Sequence, residues 1–182
     1  MKPLEPEIES ELRAFGQLLA TEGITRGLIG PREGERIWER HILNCLPVTT
    51  LLPEGASVAD IGSGAGLPGI VIAIARPDLK AALIEPLQRR VDFLIEATAK
   101  LPNVKVIRGK SENVKGQRFD FVTARAVAPL PKLIAISKHL APTLLALKGE
   151  SAKEEMLGIK GAKLHEISVE GQPMARIVEV SV

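Results

Sequence analysis

The chain has 182 residues, 45% of them apolar and 25% charged, which suits one domain with a sizeable core. Four Phe, one Trp and no Tyr exclude a nucleic-acid surface made by stacking many bases on aromatic rings, so arginine has to carry any such contact. The net charge of +2 neither demands nor forbids an RNA partner, and the single cysteine, Cys45, excludes a disulfide framework and leaves no zinc cluster or other metal site to expect.

In chain order, the first residues carry Pro3, Glu5, Glu7 and Glu9, which is not a signal or transit sequence. No apolar run approaches the ~20 residues that span a bilayer. A reducing, cytoplasmic location without membrane attachment is expected. Ile8, Leu12, Phe15, Leu18 and Leu19 recur at helical spacing. Gly23 and the stretch from Gly27 to Pro31 interrupt that helix. A second helix is expected from Arg32 to about Leu46, ended by Pro47. Residues 1–50 thus read as a helical extension, and 51–182 as the main domain.

From Ala56 the pattern alternates between strand and helix. Strands are expected at Ser57–Ile61, Lys80–Glu85, Asn103–Arg108, Arg118–Thr123 and Thr143–Lys148. Helices are expected at Gly66–Arg76, at Leu87–Lys100 with Val91, Leu94 and Ile95 inward, and at Leu130–His139. A short helix over Glu150–Leu157 precedes a hairpin of Lys163–Val169 and Arg176–Val182, turning at Gly171-Gln172-Pro173. Such alternation makes an α/β fold: a mostly parallel sheet with helices on both faces, closed by an antiparallel edge.

The first strand runs into Asp60-Ile61-Gly62-Ser63-Gly64-Ala65-Gly66 and then a helix. That is where the first strand of a doubly wound sheet meets its ligand. The glycines let a ligand approach the main chain, and the helix start presents free N–H groups. Glu85, ending the next strand, is placed to accept hydrogen bonds from ribose hydroxyls. Dinucleotide enzymes share that acid but prefer G-x-G-x-x-G; the D-x-G-x-G-x-G spelling favours an S-adenosylmethionine-dependent methyltransferase. The bland alternatives are a turn or helix-capping carboxylate for Asp60 and a solvated strand end for Glu85.

Leu67-Pro68-Gly69 directly after the loop resembles the RsmG (GidB) family of bacterial small-subunit rRNA guanine-N7 methyltransferases. The likeness continues in order through Trp38-Glu39-Arg40-His41-Ile42-Leu43, Arg90-Val91-Asp92-Phe93-Leu94, Thr123-Ala124-Arg125-Ala126 and Ala146-Leu147-Lys148-Gly149 with Glu154-Glu155. It spans about residues 35 to 160. The chain departs from the family at Asn44-Cys45, where Asp-Ser is usual. It also has Glu85-Pro86 where the strand usually ends in Asp, and Lys110-Ser111-Glu112 where Arg-x-Glu is usual.

The resemblance implies a Rossmann-like class I methyltransferase with a seven-stranded sheet. It also implies S-adenosyl-L-methionine as cofactor and small-subunit (16S) rRNA or the 30S subunit as partner. Guanine N7 carries a lone pair and attacks without deprotonation, so positioning supplies the catalysis. No acid–base pair, Ser/His/Asp set or metal cluster stands out in the sequence, and His41, His139 and His165 lie far apart. Arg125 and Lys148, at strand ends, become the candidate catalytic residues. Arg125 is expected at the guanine nucleotide or its phosphate, or at the methionine carboxylate; Lys148 is expected at the RNA backbone. The alternative for each is a structural ion pair. Asp60, Gly62, Ser63, Gly64, Gly66, Leu67, Glu85, Ser111, Glu112 and Arg125 are the expected cofactor contacts.

Arg40 and His41 are candidates for the mouth of the site, with a helix-packing histidine as the alternative for His41. Arg32, Arg36 and Arg40, four apart on one helix face, would form an RNA-binding rim with Arg89, Arg90 and Arg108, unless they are simply a solvated face. Cys45 is expected to be a buried apolar residue and Trp38 to belong to the core. A monomer is expected, without a sequence signal for oligomeric state. A small-molecule or protein methyltransferase and a non-enzymatic nucleotide-binding module are the competing functions on such a fold.

Overall fold

The computed structural model describes residues 4–168 and 174–182. Seven strands form one sheet in the order β3-β2-β1-β4-β5-β7-β6. They are β1 (Ser57–Ile61), β2 (Lys80–Glu85), β3 (Val104–Arg108), β4 (Phe121–Arg125), β5 (Thr143–Lys148), β6 (Lys163–Ile167) and β7 (Ala175–Ser181). The first five run parallel, and β7 lies antiparallel to both β5 and β6. The expected mixed sheet with an antiparallel edge is therefore present. Val169 and the turn residues Gly171-Gln172-Pro173 lie outside the described residues. The central strands read as unbroken apolar runs because helices cover both faces; Val58 to Ile61 and Ala81 to Glu85 are buried throughout.

Helices α2 (Gly69–Ala75) and α3 (Gln88–Ala97) share one hydrophobic cluster with the N-terminal residues Leu12, Phe15, Leu19, Ile37, Ile42 and Leu46. The helix α4 (Leu130–Ser137) and the single turn α5 (Ala152–Glu155) belong to the second cluster, with Val122, Leu144 and Val178. α1 (Pro6–Leu18) starts with Pro6 in its first turn, near Glu7 and Glu9, a favourable pairing of fixed φ and acidic charge with a helix N-terminus. It packs against α2. Thus the extension shares the core of the sheet.

Several boundaries differ from the sequence expectation for local reasons. Gly23 does not break the first helix: the chain continues beyond Leu18 as a π-helical segment, Leu19–Gly23. The expected helix from Arg32 to Leu46 is three pieces: 3₁₀ turns at Pro31–Arg36, a π-helical segment at Ile37–Leu43, and 3₁₀ turns at Leu46–Leu51 that Pro47 helps to begin. At about three residues per turn, residues four apart no longer share a face. Arg32, Arg36 and Arg40 therefore do not line one regular helix. α2 starts at Gly69 because Gly66 has a φ of +88°, outside helical geometry. On α3 the inward face carries Val91, Phe93 and Leu94, while Ile95 is 54% exposed. Ile95 is expected inward from the sequence; the buried arc takes in Phe93 instead and leaves Ile95 at its edge. β4 begins three residues later than expected, so Arg125 is its last residue. Cys45 is fully buried and Trp38 packs against the core, as expected.

Phe15 is 5% exposed in the cluster shared by extension and sheet. Phe15→Ala is expected to cost about 3–5 kcal/mol while chemical unfolding stays a single transition. A separate early transition of the N-terminal helices would contradict a shared core.

Candidate active site

Asp60 is the penultimate residue of β1 and is 1% exposed. A buried carboxylate needs donors, and this one has three. Ser63 Oγ and the Gly69 backbone N–H (3.0 Å) donate to Oδ2, and Thr123 Oγ1 donates to Oδ1 at 3.4 Å. Burial dominates and pushes its pKa up to about 7, against the lowering effect of those bonds. Gly69 explains the Leu67-Pro68-Gly69 motif: a Cβ there would collide with Leu83 and lie 2.7 Å from Asp60 Oδ2. Only glycine permits the N–H to reach the carboxylate.

Glu85 ends β2 and is equally buried. Its Oε2 accepts the Gly64 N–H at 2.9 Å and its Oε1 the Leu87 N–H at 2.9 Å. The Arg90 guanidinium stands 3.7 Å away. The two acids therefore brace the glycine loop from beneath, Asp60 at its helix end and Glu85 at its centre.

Three clefts open around the loop, at the carboxyl ends of the parallel strands where open α/β sheets bind ligands. One of about 220 Å³ is lined by Gly62, Pro86, Lys110, Ser111, Glu112 and Val127. The second, about 340 Å³, is lined by Gly62, Ser63, Gly64, Leu67, Arg90 and Arg125, and is roofed by Gly30 and His41 of the extension. The third, about 520 Å³, lies between Arg40, Asn44, Arg125, Val127, Lys148 and Glu155. They meet at Gly62, Arg125 and Val127. Ala126 has a φ of +56°, a left-handed conformation that costs a non-glycine residue about 1–2 kcal/mol. The next residue, Val127, lies against Gly62, where an added Cβ would stand 2.9 Å from Val127 Cγ2.

The structure thus gathers Gly62, Ser63, Gly64, Leu67, Ser111, Glu112, Arg125 and Lys148 on the walls of adjoining clefts. Asp60 and Glu85 lie under the loop, Gly66 is its buried last residue, and none of them lines the three clefts. Lys148 donates to the Ala128 carbonyl at 2.9 Å and to Glu155 at 2.7 Å. Glu155 also accepts the Leu130 N–H at 3.0 Å, and its carboxyl is held below the usual range despite partial burial. An ammonium has three donors, so one N–H of Lys148 remains for the cleft it lines.

Arg125 Nη1 donates to Cys45 Sγ at 3.3 Å, and Nη2 donates to the Arg40 carbonyl at 3.2 Å and to His41 Nδ1 at 2.9 Å. His41 Nε2 lies 2.8 Å from Glu33 Oε2. Glu33 was not singled out from the sequence. Its partners lie seven and eight residues away in an irregular segment, and no periodicity marks such a pair.

The cleft walls fit an S-adenosylmethionine-like molecule. A Cβ on Gly64 would meet only the Gly62 carbonyl oxygen, at 3.7 Å, so main chain is open to a ligand. Among the described residues Arg90 Nε is buried without a hydrogen-bond partner, beside a cleft with room for a carboxylate.

Sheet, loop and clefts define a Rossmann-like methyltransferase. Among solved structures of this fold, fibrillarin from Aeropyrum pernix, described with natively bound S-adenosyl-L-methionine, is 17% identical with a TM-score of 0.56, covering 78% of this chain and 75% of that one. The family described as rRNA small subunit methyltransferase G, GidB, matches residues 8–173, and the chain belongs to it. Ribosomal RNA small subunit methyltransferase G of Thermobifida fusca is 51% identical, over 91% of this chain and 71% of that protein. The protein of the same name from Salinispora tropica is 52% identical, over 79% of this chain and 64% of that one. No helix among the described residues is long and apolar enough to cross a membrane.

Two tests follow from the buried acid. Asp60 is raised from 3.8 to about 7, so between those values the folded state holds a proton that the unfolded chain releases. That contribution to stability is greatest at low pH and is lost as pH rises from about 4 to 7. Asp60→Asn keeps an acceptor for Gly69 and Ser63 and removes the titration. The difference in unfolding free energy between wild type and Asp60→Asn is expected to shrink over that window and to be flat above it. Gly69→Ala is expected to cost about 1–3 kcal/mol by overpacking, read from urea midpoints.

Proposed function

We propose that the protein transfers the methyl group of S-adenosyl-L-methionine to N7 of a guanine in small-subunit rRNA, with the assembled or nearly assembled 30S subunit as substrate and a monomer as the working unit. The observation that carries this reading is the composition of the largest of the three clefts. Its lining has Arg40, Arg125 and Lys148 as cations and Glu155 as its one acid. That acid already accepts from Lys148, Ser151 and Leu130. Among the described residues no other acid or histidine lines this cleft, and an acceptor nitrogen with its own lone pair needs no base.

S-adenosyl-L-methionine, when bound, would supply an electrophilic methyl group and a neutral sulfur leaving group, so that an N7 lone pair could accept the methyl without any proton having to move. The chain's residues then bind and orient. Backbone of Gly62 to Gly64 and the side chains of Ser63 and Leu67 cradle the cofactor, with Ser111 and Glu112 on the adenine side. Glu85, buried beneath the loop, serves indirectly by holding the Gly64 and Leu87 N–H groups in place. Asp60 and Gly66 serve by shaping the loop. Arg125 spans the second and third clefts and is placed to hold the nucleotide against the methyl group. Arg40, Arg89 and Arg108 are exposed and Arg90 half-buried; they supply backbone contacts around the mouth.

The reading is tested by incubating the protein and labelled cofactor with intact small subunits, naked rRNA or a metabolite pool. Label at guanine N7 of small-subunit rRNA is expected; label confined to metabolites or protein overturns it. Arg125→Ala is expected to lower turnover about 100-fold through lost positioning, with cofactor affinity nearly unchanged by calorimetry. Loss of cofactor binding instead would assign Arg125 to the methionine carboxylate.

A further inference from the structure

Arg125 ends a strand of the sheet, but its hydrogen-bond partners come from residues 40–45 of the extension. A guanidinium is always charged and has donors only. The nitrogen of His41 that faces it at 2.9 Å, Nδ1, must therefore be a bare acceptor. The ring hydrogen then sits on Nε2 and is donated to Glu33 Oε2 at 2.8 Å. The other oxygen of Glu33 accepts from Arg40 Nη1 at 3.1 Å. Geometry alone fixes the tautomer.

We propose that His41 and Glu33 are positioning residues for methyl transfer: the chain Glu33–His41–Arg125 holds the Arg125 guanidinium where the second and third clefts meet. This rests on the function proposed above. His41 takes up one of the five donors of Arg125, the Arg40 carbonyl and Cys45 Sγ take two more, and Nε–H and one Nη1–H are left for a ligand. An arginine free to rotate would have no such fixed pair. The extension is then part of the active site.

The relay works in one protonation state. Protonated His41 would turn Nδ1 into a donor against the donors of Arg125. The charged groups facing His41 are Glu33 from the preceding 3₁₀ turns, its neighbour Arg40, and Arg125 from β4. Burial, with both arginines, holds its pKa below the ordinary histidine value against the opposing pull of Glu33. As pH falls through that lowered value, Arg125 is released.

The wild type is expected to lose turnover on the acid side with cofactor affinity little changed. His41→Ala is expected to turn over about tenfold more slowly at neutral pH, with an unchanged melting temperature. His41→Asn, whose Oδ1 replaces Nδ1 at every pH, is expected to recover most of the rate and lose the acid limb. Glu33→Gln is expected to shift that limb to lower pH, because it removes the group that favours the imidazolium. Wild-type turnover in His41→Ala, or the same acid limb in His41→Asn and wild type, would overturn the relay. Long-range ¹H–¹⁵N spectra of the protein alone, with the His41 signal identified by its loss in His41→Asn, are expected to show the Nε2–H form. An Nδ1–H tautomer overturns the relay even if methylation proceeds. An inactive wild type with the Nε2–H tautomer supports the relay and sinks the function proposed above.

Discussion

The Asp60 carboxylate joins the elements that carry the site. It stands on β1, takes the Ser63 hydroxyl from the loop and the Gly69 N–H from the start of α2, and takes Thr123 from β4. Without it, three buried donors would lose their acceptor, each at a cost of about 1–3 kcal/mol. The loop path follows from this contact. The chain must return to Asp60 nine residues later, which sets where α2 can begin and requires glycine at position 69. Glu85 repeats the device one strand over, holding Gly64 and Leu87. Two buried carboxylates, each bound to main-chain N–H groups, hold the loop in shape while its outer face lines the clefts.

The same division of labour governs the cations. Lys148 is anchored by Ala128 and Glu155, and Glu155 in turn receives the first N–H of α4. Arg125 is anchored by Arg40, His41 and Cys45. Neither is a free surface charge, and the sequence alternatives of structural pair and functional cation turn out not to exclude each other. A cation whose rotamer is already fixed loses little entropy on meeting a ligand. Cys45 illustrates the point on a small scale. Where the family usually has serine, the thiol still accepts from Arg125, though a sulfur is the weaker acceptor.

The sheet was legible in the sequence because alternation, turn residues and buried runs all agree from Ala56 onward. β1, β2 and β5 fall where the pattern places them. The loop was legible because a strand, an acid and three spaced glycines coincide. What failed to show was set by tertiary contact. The left-handed Gly66 delays α2, α3 buries Phe93 and leaves Ile95 to solvent, and the extension passes from 3₁₀ to π pitch between Pro31 and Leu43. Asp60 and Glu85 were legible as site acids, but their direction was not. A carboxylate after a strand looks the same in sequence whether it points to a ligand or under the loop. The Arg125 partners were hidden most thoroughly, since they lie 80 to 85 residues away and no local periodicity reports such a pairing.

The extension therefore belongs to the site as well as to the core. Its apolar residues share the cluster that holds α2 and α3, so it cannot move far without exposing that core. Its polar residues meanwhile roof the second cleft and hold Arg125. The proposed transfer, which needs no base, depends on where its partners are held, and a misplacement of about 1 Å already costs such a step heavily. Packing the extension into the same core as the sheet fixes the roof, the arginine and the glycine loop relative to one another. Stability of the fold and precision of the site thus rest on the same buried residues.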